Sequence, residues 1–308
     1  MVIINILDIL KKYSDMDHCL TQAQIIEILK KEYYMDVDRR TVKRNLMNLL
    51  DFDFGIDYTE IIKKNEKGEE IPICTDWYIT REFDDSEIRL LIDSVLFSKT
   101  IPQKQCKKLI DKLKGLSNIY FEKKVNHICS LPEIRPENKE LFYTIDVLDE
   151  AISKGKKVSF IYNSYGTDKK LHPKREREYV INPYQMAATN GRYYLICNYD
   201  KYDTLSNYRI DRITGIKMMN EKRKSIKELK EGEINLPKHM AEHLYMFAGE
   251  SIRVKFKAKN YIIDQIIDWF GFGSKITKQD EDTCMVEVEV NEEAFFHWAM
   301  QYGLHIEV

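Results

Sequence analysis

Two helices with separate N-caps, joined by a short turn, dominate the pattern of the first fifty residues. The sequence TQAQIIEILKKEYY begins with Thr21 and has Gln24 three residues later, which is the spacing of a capping box. The sequence VDRRTVKRNLMNLLD has Asp38 as its N-cap, and Val37 and Val42 are spaced for a hydrophobic staple. Together with the preceding amphipathic helix, MVIINILDIL, these signals predict a helix-turn-helix.

The second of these helices has an apolar side and a basic side. At 100° per residue, Val42, Leu46 and Leu49 share one side. In a helix-turn-helix this element enters the major groove of DNA, where arginine binds guanine or phosphate. Two strands around the turn NEKG then predict a wing, which favours DNA contact over a solvated basic face. The predicted DNA-binding residues are Arg39, Arg40, Thr41, Lys43, Arg44 and Asn48.

The composition limits the class of protein. The chain has 308 residues, enough for two or three domains, and its net charge of −2 confines any nucleic-acid surface to a local patch. Six cysteines without a C-x-x-C pair are typical of a reducing compartment. The apolar start lacks a basic region and a cleavage site and is too short to span a bilayer. We therefore expect a cytoplasmic protein with no membrane partner.

The middle and end of the chain predict further segments. Helical patterns predict a helical linker over residues 83–140, with a boundary in HICSLPEIRPENK at Pro132 and Pro136. A charged linker is expected over residues 223–250. The order strand, helix, strand, strand, helix, strand predicts a ferredoxin-like domain over residues 251–308. The winged helix-turn-helix takes residues 1–82, so the fold class is α+β and multidomain.

Short strands separated by turn signals predict a small β-barrel or sandwich between the two linkers. One of them, NGRYYLICNYD, places Arg192, Tyr194 and Ile196 on one face and Tyr193 and Leu195 on the other. Arginines interleaved with tyrosines, here and in NYRIDRI, suit phosphates and stacked bases. The alternative is a barrel rim in which Arg–Asp pairs join the strands, and periodicity alone favours it.

The motifs SFIYNSYG, INPYQMAATNGRYYL and NYRIDRI, with the helix before them, resemble a WYL domain. The family's Trp-Tyr-Leu triplet is here Tyr193-Tyr194-Leu195, so a tyrosine replaces the tryptophan. The whole order of segments resembles that of the bacterial WYL-domain transcriptional regulators, with a WYL domain at residues 141–222 and a C-terminal WCX-like extension.

This resemblance implies an Sm-like or SH3-like barrel that binds a regulatory ligand, which for some members is single-stranded nucleic acid. The family's ligand positions fall on Tyr162, Tyr194, Arg209 and Arg212. Asp211 lies between the two arginines, so a purely structural ion pair stays open. The implied function is a ligand-responsive DNA-binding transcriptional regulator, expected to be a homodimer. Its implied partners are a double-stranded operator and an anionic effector, either a single-stranded nucleic acid or a nucleotide.

Other candidates are weaker. His239 and His243 are spaced to share a metal on one helix face, but packing explains them more simply. The basic run KKLHPKRER predicts a solvated loop that could extend an anionic ligand site. No nucleophile or carboxylate constellation and no nucleotide-binding motif is recognisable, so we expect no enzyme, cofactor or metal. The alternative function is an accessory factor that binds RNA or single-stranded nucleic acid.

Overall fold

The computed structural model describes residues 2–64, 69–125, 138–230 and 232–308. The predicted wing turn NEKG, the boundary at Pro132 and Pro136, and Cys129 lie outside these residues. Contacts divide the chain into two units, Met1–Phe97 with Gln103–Glu133 and Ser98–Pro102 with Ile134–Val308. The finer boundaries of the five predicted segments stay predictions.

The first unit consists of six helices and one antiparallel strand pair among its described residues. Their bounds are α1 Val2–Tyr13, α2 Gln22–Glu32, α3 Arg39–Asp51, β1 Ile56–Lys64, β2 Glu70–Ile79, α4 Asp85–Phe97, α5 Gln103–Lys114 and α6 Ile119–Val125.

The predicted caps of α2 and α3 are present. Thr21 Oγ1 accepts from Gln24 N, and Gln24 Oε1 accepts from Thr21 N at 2.8 Å, which completes the capping box. Asp38 Oδ1 accepts from Thr41 N at 3.0 Å. Side chains from α1, α2, α3 and β2 form one buried core, in which Trp77 is the largest. An antiparallel bridge from Leu20 to Trp77 also ties the start of α2 to the hairpin.

The helices after the hairpin belong to the same unit. Asp84 caps α4, since its carboxylate accepts from Glu87 N at 2.8 Å and its own N–H donates to Glu87 Oε2. The last of these helices, α6, was not predicted, because a helix of seven residues shows little hydrophobic periodicity. Asn118 begins it by accepting from the amides of Tyr120 and Phe121 at 3.0 Å. Local side-chain caps therefore set the start of both helices.

The second unit starts with a helix and a curled antiparallel sheet. The bounds are α7 Leu141–Lys154, β3 Lys156–Tyr165, β4 Leu171–Pro173, β5 Tyr179–Thr189, β6 Arg192–Asn198, β7 Ser206–Arg209 and β8 Ile213–Lys222. The strand order is β4-β3-β5-β6-β7, and β8 pairs with the other side of β3. The helix packs over the buried face of this sheet. The predicted helix and series of short strands are thus present.

Two parts of this sheet differ from the expectation. Residues 171–173, expected in a solvated loop, form β4, which pairs with Asn163–Tyr165 of β3. The strand expected to continue through Arg212 ends at Arg209, and Ile210–Arg212 forms a 3-10 turn. The turn leads the chain from the edge of β6 to the edge of β3, where β8 pairs, and Asp211 within it is buried.

The predicted turn between β5 and β6 is a two-residue hairpin. Asn190 and Gly191 both have positive φ, 50° and 71°, which matches the twist of a hairpin and is the reason for a glycine there. Gly191 O accepts from Lys99 N at 2.6 Å, and Tyr193 N donates to Thr100 Oγ1 at 3.1 Å. The segment Ser98–Pro102 is therefore held against the first residues of NGRYYLICNYD.

The last part of the unit contains α8 Leu236–Glu242, β9 Ser251–Lys259, α9 Ile263–Phe270, β10 Lys275–Lys278, β11 Thr283–Asn291, α10 Glu292–Tyr302 and β12 Ile306–Glu307. The strand order is β10-β11-β9-β12, all antiparallel, so the predicted order of strands and helices from residue 251 onward is present. The α+β class, with N-terminal helices and antiparallel sheets, is confirmed.

Four aromatic residues of this region are buried in one core. Trp298, Phe295 and Phe270 are buried around Phe256. Phe296 is 60% exposed, because α10 turns the Ala294/Trp298 side toward the sheet and Phe296 away from it. Among the described helices of both units, none is long and apolar enough to cross a membrane.

Candidate functional site

The basic side of α3 is open to solvent. Arg40, Lys43, Arg44 and Asn48 are exposed, and their side chains form no hydrogen bond or ion pair with the described residues. Their apolar counterparts, Val42, Leu46 and Leu49, are buried on the opposite side. Four polar side chains of the predicted DNA-binding set are therefore available to a partner.

Two other members of the predicted set have partners within the unit. Arg39 Nε donates to Gln22 Oε1 at 3.0 Å and joins α3 to the start of α2. Thr41 Oγ1 donates to Asp38 Oδ2 at 2.7 Å. Hydrogen bonds from the Thr41 hydroxyl and amide lower the pKa of Asp38. These two residues hold the helix in position, and their contact with DNA stays a prediction.

The strand of NGRYYLICNYD is covered on both faces. Leu195 and Cys197 of β6 pack in the main core with α7 and β3. Tyr194 and Ile196 lie on the other face, beneath Leu229 and Met246 from the predicted charged linker. That segment was not expected to contribute apolar cover, so the second face of β6 is a core of its own.

The two predicted ligand tyrosines lie in different cores. Tyr162 is buried in the main core, where its ring contacts those of Phe160 and Tyr208, and its hydroxyl accepts from Arg209 N at 3.3 Å. Burial raises the pKa of Tyr162. Tyr194 lies in the core under the linker. The structure does not bring the two rings to one surface.

Arg209 makes the ion pair that the sequence left open. Its Nε and Nη2 donate to Asp211 Oδ1 and Oδ2 at 3.0 and 2.6 Å, a bidentate arrangement. The Asp211 side chain is 1% exposed. Although burial disfavours the cation, the bonds and charge of Asp211 raise the pKa of Arg209. Arg209 therefore balances a buried carboxylate.

Arg212 differs from Arg209 in having unused donor capacity. Its Nε is buried and has no hydrogen-bond partner in the described part of the chain. Its guanidinium carbon lies 5.9 Å from the centre of the Tyr165 ring, and Tyr165 is 48% exposed. Buried polar atoms are rarely unsatisfied, so an unpaired N–H on a cation is a feature that an anion would complete.

The histidine pair forms part of the cover over β6. The rings of His239 and His243 lie 4.3 Å apart; His239 Nε2 bonds Asn207 Oδ1 at 3.3 Å, and His243 Nδ1 bonds Phe247 O at 2.9 Å. In the described ranges no group of three metal-ligating side chains is assembled. Burial, together with the charge of His243, lowers the pKa of His239 to about 4. The arrangement is a packing pair.

This histidine makes the cover over β6 sensitive to acid. The folded pKa of His239 lies below its ordinary 6.5, so the stability it provides is complete above pH 6.5 and is lost as the pH falls toward 4. We expect His239→Gln, which keeps the N–H donor to Asn207, to remove up to about 2 kcal/mol of the stability difference between pH 7.5 and 5. Thermal unfolding of the wild type and the variant at both pH values tests this. If both proteins lose the same stability between pH 7.5 and 5, the prediction is contradicted.

Comparison with known proteins identifies the sheet region. Residues 143–218 match the WYL domain family. The chain thus contains a WYL domain in this region, as the resemblance found in the sequence predicted.

Among solved structures, proteasome accessory factor B/C (PafBC) of Arthrobacter aurescens is similar to this chain, with 10% sequence identity and a TM-score of 0.32. The alignment covers 99% of this chain and 45% of that one, so this chain spans about half the length of PafBC. No curated protein matches the sequence significantly.

Proposed function

We propose that this protein is a sequence-specific DNA-binding transcriptional regulator whose WYL domain senses an anionic ligand. The observation that carries the proposal is the set of unpaired polar side chains on α3, which includes Arg40 and Arg44. Arginine at the first turns of a groove-reading helix suits guanine edges and phosphate.

The arrangement of elements supports a DNA-binding domain of a particular kind. Three helices precede an antiparallel hairpin, and the Leu20–Trp77 bridge adds a third backbone segment beside it. We assign this arrangement as a winged helix-turn-helix with α3 as the recognition helix. We assign the sheet of β3 to β8 as an Sm-like or SH3-like barrel, and β9 to β12 as a ferredoxin-like domain.

The ligand-sensing part of the proposal rests on Arg212. Its buried, unpaired Nε suits an anion, and the exposed Tyr165 ring beside it suits a base. The first candidates are a short single-stranded oligonucleotide and a nucleotide. A ligand shifts the equilibrium between two arrangements of a regulator only by its differential affinity for them. The ligand must therefore bind the DNA-competent and incompetent arrangements unequally.

A binding experiment distinguishes this function from its alternative. Sequences selected from random duplexes by the protein would be compared, in gel shifts, with single strands of the same sequence and with unselected duplex. The proposal predicts enrichment of a shared motif and tighter binding to that duplex than to either competitor. Binding to single strands with no enrichment of any duplex motif would favour an RNA- or single-strand-binding accessory factor.

We also expect a homodimer, because two helices carry exposed apolar side chains. Leu90 of α4 is 68% exposed, and Met300 of α10 is 71% exposed beside Phe296. Exposed apolar groups of this kind often mark protein interfaces. Light scattering at micromolar concentration should give about twice the 36.6 kDa of one chain.

Two charge substitutions locate the expected interface. Leu90→Glu should lower the mass if α4 forms it, and Met300→Glu should do so if α10 forms it, because a charge buried in an interface lacks a partner. A wild-type mass of one chain would contradict the homodimer.

A further inference from the structure

Arg175 is an exposed arginine held in one orientation. It lies in the run KKLHPKRER, two residues after β4. Its Nε donates to Arg177 O and its Nη2 to Glu178 O, both at 3.1 Å. Its guanidinium carbon is 3.4 Å from the centre of the Tyr179 ring, which is van der Waals contact. An arginine on a surface loop is normally mobile, whereas this one has two backbone bonds and an aromatic support.

Aromatic rings of the barrel core support the Arg175–Tyr179 contact from behind. Tyr179 is buried and stacks on Phe160 with ring centres 5.6 Å apart and planes 2° apart. Tyr208 meets Tyr179 edge-on at 5.6 Å, and Tyr199 lies 6.3 Å from it. The guanidinium is the outermost layer of a stack that begins inside the barrel, so its position is set by the core.

Arg175 keeps capacity for a ligand. Of the five N–H groups of a guanidinium, two are used by the carbonyls, which leaves three donors. One guanidinium face is against Tyr179, and the residue is exposed to solvent. Lys174 and Arg177, both exposed, add positive charge beside it. A flat cation with a free face and free donors can stack on a nucleobase and bind its phosphate together.

We propose that Arg175 is a stacking platform for an unpaired nucleobase of a single-stranded nucleic acid. The proposal rests on the proposed function and extends its ligand site to a residue outside the predicted set. A phosphate alone would not need the planar support, because a mobile lysine can bind it as a point charge. A base needs a fixed plane, and stacking on an arginine plane or an aromatic ring tolerates any base.

The backbone connects this platform to Arg212. Tyr162 O accepts from Lys174 N at 2.8 Å, so the residue before Arg175 is fixed to β3. Tyr165 lies three residues further along β3, and the centre of its ring is 5.9 Å from the guanidinium carbon of Arg212. The end of β3 thus lies between the two cations, with a base position at Arg175 beside β4 and an anion position at Arg212 beside β8.

The test uses the full chain, a labelled eight-nucleotide oligo-dT, and an abasic strand with the same phosphates. Arg175→Lys keeps the charge and loses the plane, and Arg177→Lys is the matched control. Fluorescence anisotropy should show that Arg175→Lys binds oligo-dT about 5- to 150-fold more weakly, the range for one stacked base. The affinity for the abasic strand should be unchanged, and Arg177→Lys should behave as wild type with both strands.

Several outcomes overturn the platform. Wild-type affinity of Arg175→Lys for oligo-dT would do so, and so would equal weakening with oligo-dT and the abasic strand, which would make Arg175 a phosphate contact. The wild type alone also tests it, since equal affinity for the two strands excludes base stacking. If the wild type binds neither strand, the nucleic-acid-sensing part of the proposed function fails as well, and that result is distinct from a failure at Arg175 alone.

Discussion

Arg40→Ala and Arg44→Ala together should abolish selective binding to duplex DNA. A lost bidentate base contact costs ~1–3 kcal/mol of discrimination, so the double variant should bind a selected duplex at least about 30-fold more weakly. Loss of two cations should also reduce the salt dependence of the remaining binding, because fewer counterions are released.

The double variant should fold normally. Both side chains are exposed on the side of α3 opposite Val42, Leu46 and Leu49, so their truncation leaves no cavity. Alanine is also the best helix former, so the helix itself is not weakened. The melting temperature of the variant should match that of the wild type.

Anisotropy titrations with the selected duplex at two salt concentrations measure the effect. Lys31→Ala, which removes an exposed cation from α2, is the control and should change affinity little. If the double variant binds the selected duplex as tightly as wild type, α3 does not read the DNA. If Lys31→Ala weakens binding as much as the double variant, the effect comes from net charge and not from the recognition helix.

The parts of the fold that the sequence predicted depend on neighbours in the chain. The capping box of Thr21 and Gln24 and the cap at Asp38 each act within one helical turn, so their residue types and spacing are sufficient. The Asn190-Gly191 turn is equally local. The same holds for the two sides of α3, which follow from the helical period alone.

The parts that the sequence missed depend on distant contacts. The cover over Tyr194 comes from Leu229 and Met246, and nothing near Tyr194 indicates which segment will pack there. Arg175 and Tyr179 are only four residues apart in the sequence, but their contact requires the loop after β4 to fold back over the sheet. The alternation of side chains along β6 shows which residues share a face, but it does not show that both faces are buried.

The Arg209–Asp211 pair is an intermediate case. Its spacing was visible in NYRIDRI, but the sequence did not decide between an ion pair and two ligand-binding arginines. The 3-10 turn after β7 decides it, because it buries Asp211 and brings both carboxylate oxygens to Arg209. The two arginines of the motif therefore have different expected roles, which single substitutions separate.

Arg209→Ala should destabilise the second unit strongly. It leaves the Asp211 carboxylate, 1% exposed, without its partner, and breaking a buried ion pair costs ~3–5 kcal/mol. For a unit of this size we expect a melting temperature lower by roughly 6–20 °C. Adding Asp211→Asn should recover part of the loss, since removing both charges of a buried pair is much less costly than removing one.

Arg212→Ala should have the opposite effects, with little change in stability and weaker ligand binding. No protein group satisfies its buried Nε, so the substitution removes an unsatisfied donor and should change the melting temperature by only a few degrees. Affinity for oligo-dT should nevertheless fall, and salt should weaken what remains less steeply than in wild type. Thermal unfolding and anisotropy on the two single variants separate the roles of the two arginines. An Arg209→Ala protein as stable as wild type would show that the pair contributes nothing to the fold. An Arg212→Ala protein with wild-type affinity would show that Arg212 is not part of an anion site.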